Sequence, residues 1–294
     1  MTAGTIRVGI SGWRYAPWRG VFYPAGLPQH AELAYAASAF STIEINGSFY
    51  SLQRPKSWRT WYESTPRDFQ FAVKGPRYLT HMLKIRGIEQ PLANFFASGV
   101  FELREKLGPI LWQFPASFPF NFERFEAFFA SLPQDLAAAA RLARKHGAFM
   151  RGRTVVEIDQ NRPIRHAVEV RHHSFGCERF LRLLGRCGIA LVVAEGAGRW
   201  PLWQDVTADF VYMRLHGEKI LYRSGYSDAA LDRWSRAILA YARGGIPKEG
   251  EQILPKARPA KRARDVYCYF DNTDLKLRAP FDARTLMGKL KIQR

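Results

Sequence analysis

The sequence predicts an α/β protein folded as a (β/α)8 TIM barrel, and three observations carry that prediction. Eight short apolar runs of strand character recur along the chain, stretches of helical periodicity separate them, and 294 residues suit one barrel with insertions. Strands are expected at 6–11 (IRVGIS), 42–46 (TIEIN), 69–74 (FQFAVK), 109–114 (PILWQF), 165–171 (RHAVEVR), 189–194 (IALVVA), 210–216 (FVYMRLH) and 266–272 (VYCYFDN). Apolar residues at three- and four-residue spacing mark the helices. Leu33, Ala36, Ala37 and Phe40 form one such set, Phe122, Phe125, Phe128 and Phe129 a second, and Leu231, Trp234, Ile238 and Tyr241 a third. The rival is an open doubly wound sheet, because sequence does not show whether the eighth strand closes on the first.

Two segments depart from a compact barrel. Residues 134–163 hold an alanine-rich basic helix (LAAAARLARKHG) and a polar stretch before the fifth strand. Residues 244–264 (GGIPKEGEQILPKARPAKRAR) precede the eighth strand, with six basic residues and two acids from Lys248 to Arg264. Both run from a helix to the next strand, so a barrel places them at its amino-terminal face, away from the usual site. No repeat or dividing linker appears, and a single domain is expected.

Composition narrows the function classes. At 47% hydrophobic and 14% aromatic residues, the chain can bury a large core and does not read as disordered. There is no leader-like start and no apolar run of roughly 18 residues, so a cytoplasmic protein without a membrane partner is expected. Cys177, Cys187 and Cys268 stand at no metal-ligand spacing and read as reduced thiols. Forty-four Lys and Arg against 26 acids give a net charge of +18, which attracts polyanions whatever the fold.

The strand tips carry the functional signal. Side chains alternate along a strand, so in a barrel one set faces the helices and the other the interior. Ile43 and Ile45 should meet the helices, which turns Glu44 and Asn46 inward; Phe71 and Val73 do the same for Lys74. Gln113 opposes Trp112 and Phe114, while Val168 and Val170 leave Glu169 and Arg171 inside. Val211, Met213 and Leu215 leave Arg214 and His216 inside. Burying one such group unpaired costs about 2–7 kcal/mol, so a purely structural origin requires a matched partner for each, such as Glu44 with Lys74 and Glu169 with Arg171. Charges at this end of a barrel more often build a site, and that reading is preferred. Gly12-Trp13, Phe49-Tyr50, Thr80-His81 and Asp271-Asn272 flank it, and Tyr222 and Tyr226 lie in the loop after His216.

The segments IRVGISGWRYAPWRGVFYP, TIEINGSFYSL, FAVKGPRYLTH, LWQFPASF, HAVEVRHHSF, YMRLHG and YCYFDNTD resemble the YecE-like family, domain of unknown function 72, from about Ile6 to Asp274. The resemblance implies a TIM barrel, with signature positions at Gly12, Trp13, Glu44, Asn46, Phe49, Tyr50, Lys74, His81, Gln113, Glu169, Arg171, His216 and Asn272. It implies no reaction. Two departures stand out: Phe270-Asp271-Asn272 where the family commonly has Phe-Asn-Asn, and Glu195 in place of an aspartate after the sixth strand.

The favoured expectation is an enzyme or binding barrel for a small anionic, phosphate-containing ligand. Lys74, Arg171 and Arg214 would hold the anion, Glu44 or Glu169 would act as general base, and His216 or His81 as acid. A nucleic-acid-processing barrel, with Trp13, Phe49 and Tyr50 stacking on bases, is the alternative. A non-catalytic basic adaptor is the third reading. No Gly-rich phosphate loop, dinucleotide fingerprint, His-Glu-x-x-His or paired Cys-x-x-Cys is present, so no organic cofactor is implied. The His, Asp and Glu set is thin for a divalent metal, and His172-His173, as neighbours on an extended chain, should point apart.

Overall fold

The computed structural model describes residues 3–255, 262–272 and 277–294. Part of the basic segment (256–261) and the end of the last motif (273–276) therefore lie outside the described residues.

Eight parallel strands close into a barrel in sequence order, which removes the open-sheet alternative. They are β1 Ile6–Ser11, β2 Thr42–Ile45, β3 Gln70–Lys74, β4 Leu107–Gln113, β5 His166–Glu169, β6 Ala190–Glu195, β7 Phe210–Leu215 and β8 Asp265–Phe270. Closure runs through β1 and β8, with Ile6 opposite Val266 and Ile10 opposite Phe270. The helices are α1 Glu32–Ala39, α2 Gly47–Tyr50, α3 Pro55–Glu63, α4 Glu89–Ala97, α5 Phe122–Ser131, α6 Leu136–Ala143, α7 Glu178–Arg186, α8 Asp228–Ala242 and α9 Ala279–Leu290. Asn121, Asp135 and Ser227 start α5, α6 and α8 by accepting from the backbone N–H three residues on, which supplies one of the free donors of each first turn. Among the described residues no helix is long and apolar enough to cross a membrane.

Alternation sorts the strand residues into two apolar layers. Val8, Ile10, Ile43, Ile45, Phe71, Val73, Val168, Val211, Met213 and Leu215 join the helix side chains in one core. Ala72, Leu111, Ala167, Val192, Tyr212 and Tyr269 fill the barrel interior in another. Gly9 stands where β1 crowds β2, since a Cβ there would come within 1.9 Å of the Thr42 carbonyl oxygen. Higher in the interior the small and apolar residues give way to charged ones, and the site begins there.

Two elements differ from the sequence-based expectation. No helix follows β6: residues 196–209 return to β7 as irregular chain, because Gly196, Gly198 and Pro201 interrupt any helical run. The segment after α8 does not stay at the amino-terminal face either. Gln204 donates its backbone N–H to the Glu251 carbonyl at 2.9 Å, and Glu251 shares a cavity with Arg171, His172 and Trp200. The described part of this insertion therefore climbs the barrel wall into the gap left by the missing helix.

Candidate functional site

Arg214, near the end of β7, is fully buried and organises the upper interior. Its Nε and Nη2 donate to the two oxygens of Glu44, at 2.9 and 2.8 Å. Nη1 donates to Glu169 Oε2 at 2.8 Å, and Nη2 also reaches Asp271 Oδ2 at 2.9 Å. Glu44 is completed by the Ser11 hydroxyl and by Tyr212, whose hydroxyl donates at 2.6 Å. Glu169 is completed by Arg171, whose Nε and Nη2 lie 2.7 and 2.6 Å from its Oε1. One guanidinium thus serves three carboxylates, with the fixed fork geometry that suits arginine to such a post.

Burial alone would raise the Glu169 carboxyl, but Arg171 and Arg214 outweigh it and hold it well below the usual range. Asp271 follows the same balance, lowered by Arg214 and His216 against burial. His216 is pushed down by burial and by Arg214, so it is neutral at pH 7. Its Nε2 lies 3.3 Å from Arg214 Nη1, which has only protons to offer, so Nε2 accepts. The ring proton sits on Nδ1, 3.1 Å from Asp271 Oδ2 but off the line of a good hydrogen bond.

Above this ionic floor opens a cavity of about 640 Å3, lined by Asn46, Phe49, Tyr50, Lys74, Arg77, His81, Gln113, Arg171, Trp200, Tyr222 and Asp271 among others. Lys74 is 8% exposed and its Nζ sits 4.1 Å from the centre of the Phe49 ring. Burial, then Arg214, lower its ammonium to about 8, only partly offset by the acids. His81 rides on a turn of π-helix over Tyr78–Met82, a distortion that often marks functional positions. Burial and the neighbouring Lys74 and Arg171 lower it to about 4, and its Nδ1 lies 2.8 Å from the Thr80 hydroxyl. Arg171 lies 3.9 Å over the Trp200 ring, with Nη1 3.3 Å from the Tyr222 hydroxyl.

The structure gathers most of the expected residues at this end but on different levels. Asn46, Phe49, Tyr50, Lys74, His81, Gln113 and Arg171 line the cavity, whereas Glu44, Glu169, Arg214 and His216 lie beneath it with no exposed surface. Gly12 and Trp13 line an adjoining cavity of about 280 Å3 with Asn46 and Tyr50. Asn272 turns away: its Nδ2 donates to Asp282 at 2.8 Å and to the Ser224 carbonyl at 3.2 Å, tying β8 to α9. Asp271 takes the cavity position instead, as alternation from Val266, Cys268 and Phe270 would have indicated. Tyr222 lines the cavity, whereas Tyr226 packs with its hydroxyl on the Gly217 N–H at 2.9 Å. Arg77 and Trp200 were missed, since both sit in loops where alternation says nothing.

Of the two ion pairs expected from a purely structural interior, Glu169–Arg171 forms and Glu44–Lys74 does not. His172 and His173 do not point apart; a short 3-10 turn stacks their rings with centres 4.4 Å apart. Among the described residues no group of three or more His, Cys, Asp and Glu is arranged to hold a metal ion.

Comparison with known proteins agrees with this fold. UPF0759 protein YecE of Escherichia coli (strain K12) is 28% identical over 129 residues, 44% of this chain and 44% of that protein. UPF0759 protein YunF of Bacillus subtilis (strain 168) is 30% identical over 118 residues, 38% of this chain and 41% of that one. The matched part of the chain thus spans less than half the length of either curated relative. Among solved structures, a DUF72 family protein (TM1631) of Thermotoga maritima MSB8 superposes with a TM-score of 0.74 at 24% identity, covering 98% of this chain and all of that one. Another (EF0366), of Enterococcus faecalis V583, gives 0.67 at 16% identity, with both chains fully covered. A family model described as "Protein of unknown function DUF72" matches residues 7–294, nearly the whole chain, and the chain belongs to that family.

Proposed function

We propose that the barrel binds and processes a small anionic, phosphate-containing ligand in the Lys74 cavity. One observation carries the reading: Glu44 and Glu169 lie beneath the cavity, and among the described residues Asp271 is the one acid that lines it, against Lys74, Arg77 and Arg171. The carboxylates of Glu44 and Glu169 are held below by Arg214, while Lys74 and Arg77 face the cavity against aromatic rings, Phe49 at 4.1 Å and Tyr50 at 5.4 Å. Among the described residues neither cation has a carboxylate partner. Unpaired cations around a concave space of this size, within the roughly 300–1,000 Å3 usual for ligand pockets, favour an anion.

In this reading Arg77 and Lys74 meet the anionic group, and Arg171, fixed by Glu169 and Trp200, presents its remaining N–H bonds to the cavity. Glu44, Glu169 and His216 are positioning residues that hold Arg214 and Arg171; the groups able to touch a ligand and move protons are Lys74, His81, Tyr222 and Asp271. Calorimetric titration with a panel of sugar phosphates and nucleoside monophosphates tests this. Saturable binding that survives a threefold rise in salt and weakens in Arg77→Gln is expected; no saturable binding by any member refutes it.

A second reading, a single nucleic-acid strand with one phosphate in the cavity, is favoured by the rim. Tyr50 is 66% exposed beside Arg77, and a further cavity of about 460 Å3 shares Arg171 and Trp200 with the central one, continuing the groove. A steep loss of binding with salt distinguishes it.

A further inference from the structure

We infer that Lys74 is a covalent nucleophile: its amine condenses with the carbonyl of a hydroxylated, phosphate-bearing aldehyde or ketone to form an imine. The inference rests on the proposed anion-binding reading and assigns Lys74 a role beyond charge.

The surroundings of Nζ fit an imine better than a permanent ammonium. An ammonium carries three N–H donors and, when buried, requires acceptors for them. Lys74 Nζ opens on the cavity instead, beside the face of Phe49 at 4.1 Å, and makes no hydrogen bond to another described residue. A protonated imine keeps the positive charge, which the ring face stabilises, yet has a single N–H to satisfy. Asp271 faces the same cavity, its side chain 15% exposed, and supplies a counter-charge. All three nearby acids, Asp271 included, are engaged by Arg214, and none of them makes an ion pair with Lys74. An amine at about 8 leaves roughly one molecule in ten neutral at pH 7, enough for attack. His81, neutral at that pH, adds no charge of its own.

The ligand class follows from the remaining walls. Arg77 provides a cation for the anionic group at the rim. Asn46 lines the cavity as well, its Nδ2 held on the Ser11 hydroxyl at 2.8 Å, and gives the wall a polar amide that suits a hydroxylated ligand. Anion, hydroxyl and carbonyl together describe an open-chain sugar phosphate. In the step itself the Lys74 nitrogen lone pair bonds to the carbonyl carbon and the C=O π pair moves to oxygen. That oxygen takes one proton from the nitrogen and one from solvent and leaves as water, so amine, carbonyl compound and one proton give protonated imine and water.

The test uses the intact protein and two probes. Glyceraldehyde 3-phosphate with borohydride should give a reduced adduct that peptide mapping places on Lys74, suppressed by excess inorganic phosphate and lost in Lys74→Arg. Formaldehyde with cyanoborohydride, which needs no anion site, should methylate Lys74 on the order of tenfold faster than the surface lysines at pH 7. Binding of glycerol 3-phosphate, which lacks the carbonyl, is measured alongside by calorimetry. If glycerol 3-phosphate binds but neither probe favours Lys74, the imine is refuted and the anion reading stands. If Lys74 is methylated rapidly but no phosphate compound binds or traps, the anion reading falls and with it the substrate class. Adducts spread evenly over the lysines overturn the inference outright.

Discussion

Replacing Arg214 with methionine removes the one cation that three carboxylates share, and the consequence can be worked from the contacts. Glu44 loses two hydrogen bonds of 2.8–2.9 Å, Glu169 one of 2.8 Å and Asp271 one of 2.9 Å, and Glu44 and Glu169 have no exposed surface from which to recruit water. Removing one partner of a buried ion pair costs about 3–5 kcal/mol, and these carboxylates also repel one another once the guanidinium is gone. Proton uptake limits the penalty, because a buried acid neutralises rather than remain charged. A loss of about 4 kcal/mol at pH 7 is therefore expected, or on the order of 10 °C in thermal midpoint. The pH dependence identifies the cause. In the parent protein Glu169 and Asp271 titrate below their unfolded values, so their contribution is present above about pH 4 and fades as pH falls through the folded values. In Arg214→Met that lowering is weakened, since Glu169 keeps Arg171 but loses Arg214 and Asp271 keeps only His216 and Lys74, so the variant gains less stability as pH rises through the unfolded range. The gap between the two proteins should be widest near neutrality and close towards pH 4. Chemical denaturation from pH 4 to 7 measures it; a gap under about 1 kcal/mol, or one independent of pH, would refute the assignment of Arg214 as the hub.

Lys74→Met should be neutral or stabilising at pH 7, because a lysine lowered from 10.5 to about 8 costs the fold about 3 kcal/mol while protonated. That cost is present below about pH 8 and lost as pH rises towards the unfolded value, so the parent protein should gain on the variant between about pH 8 and 10 in denaturation curves. Arg77→Gln should weaken phosphate-ester binding by about 10-fold with an unchanged thermal midpoint, since Arg77 is exposed and unpaired; an unaltered affinity would remove it from the site. Asn272→Ala should do the reverse, costing about 1–3 kcal/mol by removing one hydrogen bond to the buried Asp282 carboxylate, which keeps Arg278 and the Tyr226 N–H, while leaving ligand affinity intact. Gly9→Ala should prevent barrel closure or cost about 3 kcal/mol, as its Cβ would sit 1.9 Å from the Thr42 oxygen; native-like stability would refute the packing argument.

Alternation made much of this site legible because β2, β3, β5 and β7 carry unambiguous apolar partners on their outer faces. Ile43 and Ile45 fix Glu44, and Val211, Met213 and Leu215 fix Arg214, without knowledge of any other strand. Applied to β8 with equal weight, the same rule selects Asp271 over Asn272, which was instead retained on family resemblance. What alternation cannot supply is who pairs with whom. Arg214 meets Glu44 across 170 residues of sequence, and that meeting depends on the barrel's stagger, which no local pattern encodes. The missing helix after β6 was hidden for another reason: its place is taken by the segment after α8, whose Gly- and Pro-rich sequence reads as a loop at the far face.

The division of the interior into levels also limits the chemistry open to the barrel. Glu44 and Glu169 are the strongest candidates for a general base on residue type alone, yet every oxygen they have is engaged, and protonating either would unbalance a buried Arg214. Glu169, held well below its usual range and closed off from ligand, is a poor proton acceptor at neutral pH. The same acids are held by Arg214 and Arg171 and make no ion pair with Lys74, whose ammonium burial and Arg214 lower against the acids' partial offset. The floor's part is thus to hold Arg214 beneath the cavity, and that guanidinium, with burial, is what lowers the lysine above it.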